Sequence, residues 1–185
     1  APTECARVVE LPATAPVDAA WRALPTTSEQ VLHLDKYDAR EPAIALSPPP
    51  GAALARPKER RSFGQVYTQV LGEQGLRIVA EAWTDAERAA RAAAGWGGDR
   101  YVLLRGEGAA AGENALAWHL RFDTESDARE MATVLASQAH GDCVARPDVG
   151  PFSWSRAKRD VALVMGPYLR TGKDVKGTGT CKEAK

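Results

Sequence analysis

Two segments in the second half of the chain alternate apolar and polar residues and therefore predict strands. They cover residues 100–105 and 115–122. In the second segment an apolar residue recurs at every other position: Leu116, Trp118, Leu120 and Phe122. A period of two places these side chains on one face of a strand. Residues 106–112 are rich in Gly and Ala and predict a turn between the strands. The pattern thus predicts a hairpin with one face packed on helices.

Helical spacing of apolar residues dominates elsewhere in the core. Ser62 opens the longest predicted helix, which reaches to about Trp83 and has a possible break at Gly72 and Gly75. Thr84 begins a capping signal, in which side chains satisfy the free N–H groups of a helix start, and an Ala-rich helix is predicted from there to residue 94. A further helix is predicted over residues 123–138 and ends near Gly141.

A second hairpin is predicted to close the core. Residues 152–156 and 160–165 read as its strands, and Gly166-Pro167 is predicted to end regular structure. The order is helix, helix, strand, strand, helix, strand, strand. This order predicts an α+β fold, with helices on one face of a small antiparallel sheet of about four strands.

The flanking segments differ in composition from this core. Residues 1–61 are rich in proline, including Pro48-Pro49-Pro50, and predict an irregular arm with short helices. Residues 26–29 match a capping box with Glu29 as its carboxylate, which predicts a short helix through Leu34. Residues 62–170 are expected to form the core domain, and residues 171–185 a flexible tail.

Charge and hydropathy exclude several classes of function. The chain holds 24 basic and 24 acidic residues, so its formal net charge is zero. The basic runs lack interleaved aromatic residues: Arg56, Lys58, Arg60, Arg61, Lys173, Lys176, Lys182 and Lys185. Nucleic-acid binding, which needs a clustered basic face, is not expected. No apolar stretch reaches 18 residues, so no transmembrane segment is predicted.

The cysteines do not have metal-site spacing. Cys5, Cys143 and Cys181 form no C-x-x-C pair, so neither a metal site nor a cofactor is predicted. In an oxidising compartment two of the three could pair. A disulfide between Cys143 and Cys181 is preferred because it would hold a Gly-rich tail in place, although the sequence leaves three pairings open.

Two segments carry a resemblance to a known family. Residues 25–33 followed by 35–37 resemble the P-x-S/T-T/S-E-Q-I/V-L-H-P-x-K-Y segment of secreted or lipoprotein-type bacterial and archaeal zinc metallopeptidases. Residues 92–101 and then 122–128 resemble the A-A-x-G-W-G-G-D-R and W-D-T-x-x-D-A segments of the same proteins. Phe122 departs from that pattern, which has tryptophan there.

The zinc-binding H-E-x-x-H helix of that family lies upstream of the first segment and is missing from this sequence. His33, His119 and His140 do not have its i, i+4 spacing. The resemblance therefore implies the non-catalytic C-terminal region of such a protein, and no catalytic or zinc-binding residue is carried over. A start at Ala1 is compatible with signal-peptidase cleavage, so an extracytoplasmic location is expected: periplasmic, cell-surface or secreted.

Residues 96–100 are the one weak candidate for a ligand site: Trp96, Gly97, Gly98, Asp99 and Arg100. They could form a small nook with Trp96 as its apolar wall. The favoured interpretation is a helix-to-strand turn in which Trp96 fills the core and Asp99 accepts from backbone N–H groups, so a small-molecule ligand is not expected.

Two functions follow as hypotheses. The first is a non-catalytic exported binding or structural protein, with another protein as its partner and a possible role as accessory subunit of a larger assembly. The alternative is a processed fragment of a zinc metallopeptidase whose catalytic helix lies on another polypeptide.

Overall fold

The chain has an α+β fold, an open antiparallel sheet with several helices. The computed structural model describes residues 21–49, 61–138, 144–146, 150–171 and 174–177. The helices are α1 (Ser28–Leu32), α2 (Leu34–Asp38), α3 (Gly72–Glu81), α4 (Ala86–Ala93) and α5 (Glu125–Gln138). The strands are β1 (Arg61–Gln69), β2 (Trp96–Gly108), β3 (Glu113–Phe122), β4 (Val144–Arg146), β5 (Gly150–Ala157), β6 (Asp160–Thr171) and β7 (Asp174–Gly177).

The sheet has five long strands rather than the four expected. The strand order is β1-β2-β3-β6-β5-β4, and every pair is antiparallel. The short strand β4 extends the β5 edge, and the short strand β7 pairs with the end of β6. Asp174–Gly177, inside the segment expected to be a flexible tail, thus form a strand.

The helix predicted from Ser62 is wrong in its first part. Residues 61–69 form β1, and helix α3 begins only at Gly72. A β-bulge between Gln65 and Tyr67 shifts the register of β1 against β2. Because the extra residue breaks the alternation, the apolar side chains of this strand recur at three- and four-residue intervals and imitate a helix.

The two predicted hairpins and the later helices are confirmed with shifted ends. Strands β2 and β3 are both longer than the alternation indicated. Strand β6 continues past Gly166-Pro167, where regular structure was predicted to end, because its register against β3 slips there and then resumes at Tyr168 and Leu169. A bulge of this kind tolerates a proline, which cannot donate to the ladder.

The main core lies between the helices and one face of the sheet. From the strands it takes Trp96, Trp118, Leu120, Phe122, Phe152, Val161 and Leu163, and from the helices Leu76, Ala80, Ala89, Ala92, Ala93, Ala128, Met131, Val134 and Leu135. A smaller cluster with Val102, Leu104, Ala115 and Ala117 lies on the opposite face. This division places the helices on the face that the alternation of β3 marks as apolar.

The arm packs against the start of β2. The Ile44 N–H donates to the Gly97 carbonyl at 2.7 Å. Gly98 allows this approach, since a Cβ at that position would lie 2.2 Å from the carbonyl oxygen of Ile44. Farther along, the Arg100 Nε donates to the Leu46 carbonyl at 3.4 Å. The described part of the arm is thus a component of the folded domain.

Several sequence predictions fall outside the described residues. The preferred Cys143–Cys181 pair, Cys5 and His140 are among them, as are most residues of the two basic runs. The disulfide therefore stays a prediction.

Candidate functional site

Asp99 is the centre of a buried hydrogen-bond network. Asp99 is 1% exposed, and its carboxylate accepts five hydrogen bonds. The N–H groups of Leu71 and Gly72 donate to it at the start of α3, at 2.9 Å in their shortest contacts. The indole N–H groups of Trp96 and Trp118 donate at 3.0 and 2.9 Å. The carboxylate therefore joins α3, β2 and β3 and satisfies four buried donors.

The predicted ligand nook at residues 96–100 is occupied by the chain itself. Trp96 has 1% exposure. Ile44 and Leu46 of the arm lie against Gly97, Gly98 and Arg100. These are the contacts expected of a helix-to-strand turn in which Trp96 fills the core. Ligand binding at this turn stays a prediction, and a ligand would first have to displace the arm.

A cluster of three carboxylates around one ammonium joins the arm to the core. The Lys36 Nζ lies 2.8 Å from Glu41 Oε1 and 2.8 Å from Asp123 Oδ2. It lies 3.5 Å from Oε1 of Glu29, a residue with 1% exposure. This Glu29 oxygen accepts no hydrogen bond from the described residues. We call these four residues the Lys36 cluster.

The Lys36 cluster shifts the pKa of two of its members. Burial raises the pKa of Glu29 from its ordinary value of 4.5 to about 7, against the opposing effect of the Lys36 charge. The neighbouring carboxylates of Asp123, Glu41 and Glu73 add to this rise. Burial alone would lower the pKa of Lys36. Its hydrogen bonds to Asp123 and Glu41, together with the charge of Glu29, outweigh that effect, so the pKa lies above its usual range.

The capping-box pattern assigned Glu29 the wrong role because it placed the N-cap of α1 one residue too early. Thr27, not Thr26, is the N-cap of α1, and its hydroxyl accepts from the Gln30 N–H. Gln30 then reaches back, and its Oε1 accepts from the Thr26 N–H. Gln30 thus holds the third helical position of the capping box but accepts from the residue before the N-cap, and Glu29 turns toward Lys36. The two segments that carry the family resemblance meet here, because Lys36 belongs to one and Asp123 to the other.

The described histidines are paired with carboxylates. His33 Nε2 lies 2.8 Å from Glu73 Oε1, which links the arm to α3. His119 Nε2 lies 2.8 Å from Asp160 Oδ1 on the sheet face opposite the helices. Arg121 also holds Asp160 through two hydrogen bonds of 2.8 and 2.9 Å. These pairs link neighbouring strands and segments.

A shallow groove lies between α4 and α5. It has a volume of about 300 Å³ and is lined by Arg88, Arg91, Ala92, Glu130, Thr133 and Val134. Its two arginines are already paired along their own helix, Arg88 with Asp85 and Arg91 with Glu87. The positive charge of its two arginines is therefore already compensated within α4 and its N-cap.

Strand β1 forms an end of the sheet and exposes apolar side chains. Among the described strands it pairs with β2 alone. Val66 and Tyr67 are 51% and 47% exposed, and Val70 just beyond the strand is 38% exposed. No charged residue occurs between Arg61 and Glu73. End strands normally carry charges or prolines that prevent pairing with other chains. Strand β1 contains no proline, and its one charged residue is Arg61 at its first position.

The comparisons with known proteins reach the family level. A family model described as a domain of unknown function, DUF8575, matches residues 59–176. The chain belongs to this family. The DUF8575 segment covers the whole sheet apart from the last residue of β7, and leaves the described arm outside its bounds. No curated protein and no solved structure matches the chain. Among the described residues, no helix has the length and hydropathy needed to span a membrane.

Proposed function

We propose that this chain is a non-catalytic, exported domain that binds an extended segment of another protein along β1. The partner adds a strand to the sheet, and the chain acts as an accessory subunit of a larger assembly. The observation that carries the proposal is an end strand without charge after Arg61, with exposed Val66 and Tyr67 on it and exposed Val70 just beyond it. The extracytoplasmic location is part of the proposal and is what the sequence resemblance implies.

The physical reason is the chemistry of a free sheet edge. An end strand presents unpaired N–H and C=O groups, which pair readily with an incoming extended chain. The bulge at Val66 bends β1 and limits indiscriminate pairing, as such irregularities do at sheet edges. Main-chain hydrogen bonds would supply affinity, and the exposed side chains of Val66 and Tyr67 would supply the apolar contact that selects the partner.

The buried polar groups support a binding role over catalysis. Asp99 uses its carboxylate to join α3, β2 and β3. Asp99 is 1% exposed, so its carboxylate is taken up by contacts that hold elements of the fold together and is not available to a substrate.

The test compares a lysine substitution on the edge strand with a lysine substitution on helix α3. The tagged chain and its Val66→Lys variant are incubated with the native extract, and the retained proteins are identified. Ile78→Lys is the matched control, because Ile78 is 58% exposed but lies on α3 rather than on the edge strand. We expect one partner to be retained by the wild type and by Ile78→Lys, and lost with Val66→Lys, since a charge blocks strand addition.

The proposal fails if the wild-type chain retains no partner, or if Val66→Lys retains it as well as the wild type does. Circular dichroism of each variant before the incubation verifies that the sheet is intact. A partner lost equally from both lysine variants would also contradict binding at the edge of β1.

The alternative proposal is a fragment that completes a zinc metallopeptidase. The observation in its favour is the contact between the two family-like segments through Lys36 and Asp123. An H-E-x-x-H helix encoded in the same gene upstream of Ala1 would support this alternative. A gene that encodes only a signal peptide upstream would rule it out.

A further inference from the structure

We propose that Glu29, Glu41 and Asp123 form a calcium site in which the Lys36 ammonium is the exchangeable occupant. The inference does not depend on the protein-binding proposal. It rests on the Lys36 cluster, whose three carboxylates each have an oxygen within 4.8 Å of the others. A single ion could therefore contact all three.

The Lys36 ammonium satisfies two of these carboxylates and not the third. It lies at hydrogen-bond distance from Glu41 and Asp123, at 2.8 Å each, but 3.5 Å from Glu29 Oε1. That Glu29 oxygen is buried, points into the cluster and accepts no hydrogen bond from the described residues. A buried carboxylate oxygen that has only this 3.5 Å ion-pair contact and accepts no hydrogen bond is costly. A cation closer to Glu29 would remove the cost.

The charge balance also favours an ion of higher charge. With all groups ionised, three carboxylates and one ammonium leave a net charge of −2, because −3 and +1 sum to −2. A divalent ion in place of the ammonium leaves −1 among the same carboxylates. Calcium is the class of ion that fits, because it takes carboxylate oxygens at about 2.3–2.6 Å in irregular arrangements. The three ligands come from three separate segments, so an irregular arrangement is what the fold supplies.

The Lys36 side chain can make room for the ion. Its ammonium ends a flexible four-carbon stem, and 21% of the side chain is exposed, so it can swing into solvent.

The test removes the competing ammonium and one ligand in turn. Calorimetric titration with Ca²⁺ is performed on the wild type, on Lys36→Gln and on Lys36→Gln/Glu29→Gln. Lys158→Gln is the matched control, since Lys158 is an exposed lysine in the β5–β6 turn. We expect Lys36→Gln to bind one Ca²⁺ at least tenfold more tightly than the wild type. Adding Glu29→Gln to that variant should weaken its Ca²⁺ binding at least tenfold, and Lys158→Gln should match the wild type.

Folding is verified separately, by circular dichroism with and without Ca²⁺. A folded Lys36→Gln variant that binds no Ca²⁺ up to about 10 mM, well above the affinity range of weak extracellular sites, overturns the proposal. If Lys36→Gln is unfolded without calcium, refolding by CaCl₂ but not by NaCl of equal ionic strength supports the site. Failure to refold under CaCl₂ overturns it. Equal binding by Lys36→Gln with and without Glu29 also overturns it.

Discussion

Replacing Asp99 by Asn tests the buried network at its centre, because the substitution keeps the shape of the side chain and changes one acceptor into a donor. With its oxygen in the Oδ1 position, Asn would keep the contacts to the Leu71 N–H, the Gly72 N–H and the Trp96 indole. Its amide group would then face the Trp118 indole N–H, which donates to Oδ2 in the native protein. Two donors would meet, and the buried Trp118 N–H would lose its acceptor.

The cost can be worked out from these contacts. An orphaned buried donor costs about 1–3 kcal/mol. The three remaining hydrogen bonds each lose about 1 kcal/mol when a charged acceptor becomes neutral. Relief from burying a charge offsets part of this loss. We therefore expect Asp99→Asn to lower the free energy of unfolding by about 3 kcal/mol, a large part of the roughly 5–15 kcal/mol that a domain has.

Urea unfolding followed by far-UV circular dichroism measures this loss without relying on tryptophan fluorescence. Asp85→Asn is the control, because Asp85 is an exposed N-cap of α4 and accepts from the Arg88 N–H. Its cost should be much smaller than that of Asp99→Asn, since Asn caps a helix about as well as Asp. Trp118→Phe should cost about 1–2 kcal/mol less in the Asp99→Asn background than in the wild type. An Asp99→Asn variant within 0.5 kcal/mol of the wild type, or no such coupling, would refute the reasoning.

The other predictions concern Glu29 in the arm, Gly98 where the arm contacts β2, and Asp160 on the sheet face opposite the helices. Glu29→Gln in calcium-free buffer should match the wild type at about pH 4.5 and be more stable by up to about 3 kcal/mol at pH 8, measured by urea unfolding. The sign follows from the raised pKa: the native Glu29 keeps its proton up to about pH 7, so wild-type stability falls as the pH rises from 4.5 to 7, whereas Gln does not titrate. Gly98→Ala should destabilise the protein by about 1–3 kcal/mol in thermal unfolding, because the added Cβ meets the backbone of the arm. Gly64→Ala should be nearly neutral in the same assay, because its Cβ meets only the end of a glutamate side chain. Asp160→Asn should cost about 1 kcal/mol at pH 7. In acid titration the cost should shrink as the pH falls through the lowered pKa of Asp160, which the hydrogen bonds from Arg121 hold below its usual range.

Local periodicity predicted the parts of the fold that follow one repeat without interruption. The alternation in residues 115–122 identified β3 and its apolar face, and the capping signal at Thr84 identified α4. Strand β1 was missed because its bulge at Val66 replaces alternation by helical spacing. The extent of β6 was missed because a proline normally ends a strand, and the slip in register that accommodates Pro167 has no local signature.

The site was predictable only where its contacts are local. The turn with Trp96 and Asp99 was recognised as a structural corner, because both residues lie within four positions of each other. The Lys36 cluster was not recognised, since Lys36 and Asp123 are 87 positions apart and no periodicity relates them. The capping box pointed to Glu29 for a different role, and only the one-residue shift of the N-cap to Thr27 frees it.

Amide hydrogen exchange of the chain with the partner retained in the lysine-variant comparison tests the central claim most directly. The account predicts that the amides of β1, Arg61–Gln69, become at least tenfold more protected in the complex. Those of β5, Gly150–Ala157, which is paired with β6, should keep their exchange rates. Unchanged exchange in β1, with new protection on another surface of the domain, would contradict strand addition at this edge.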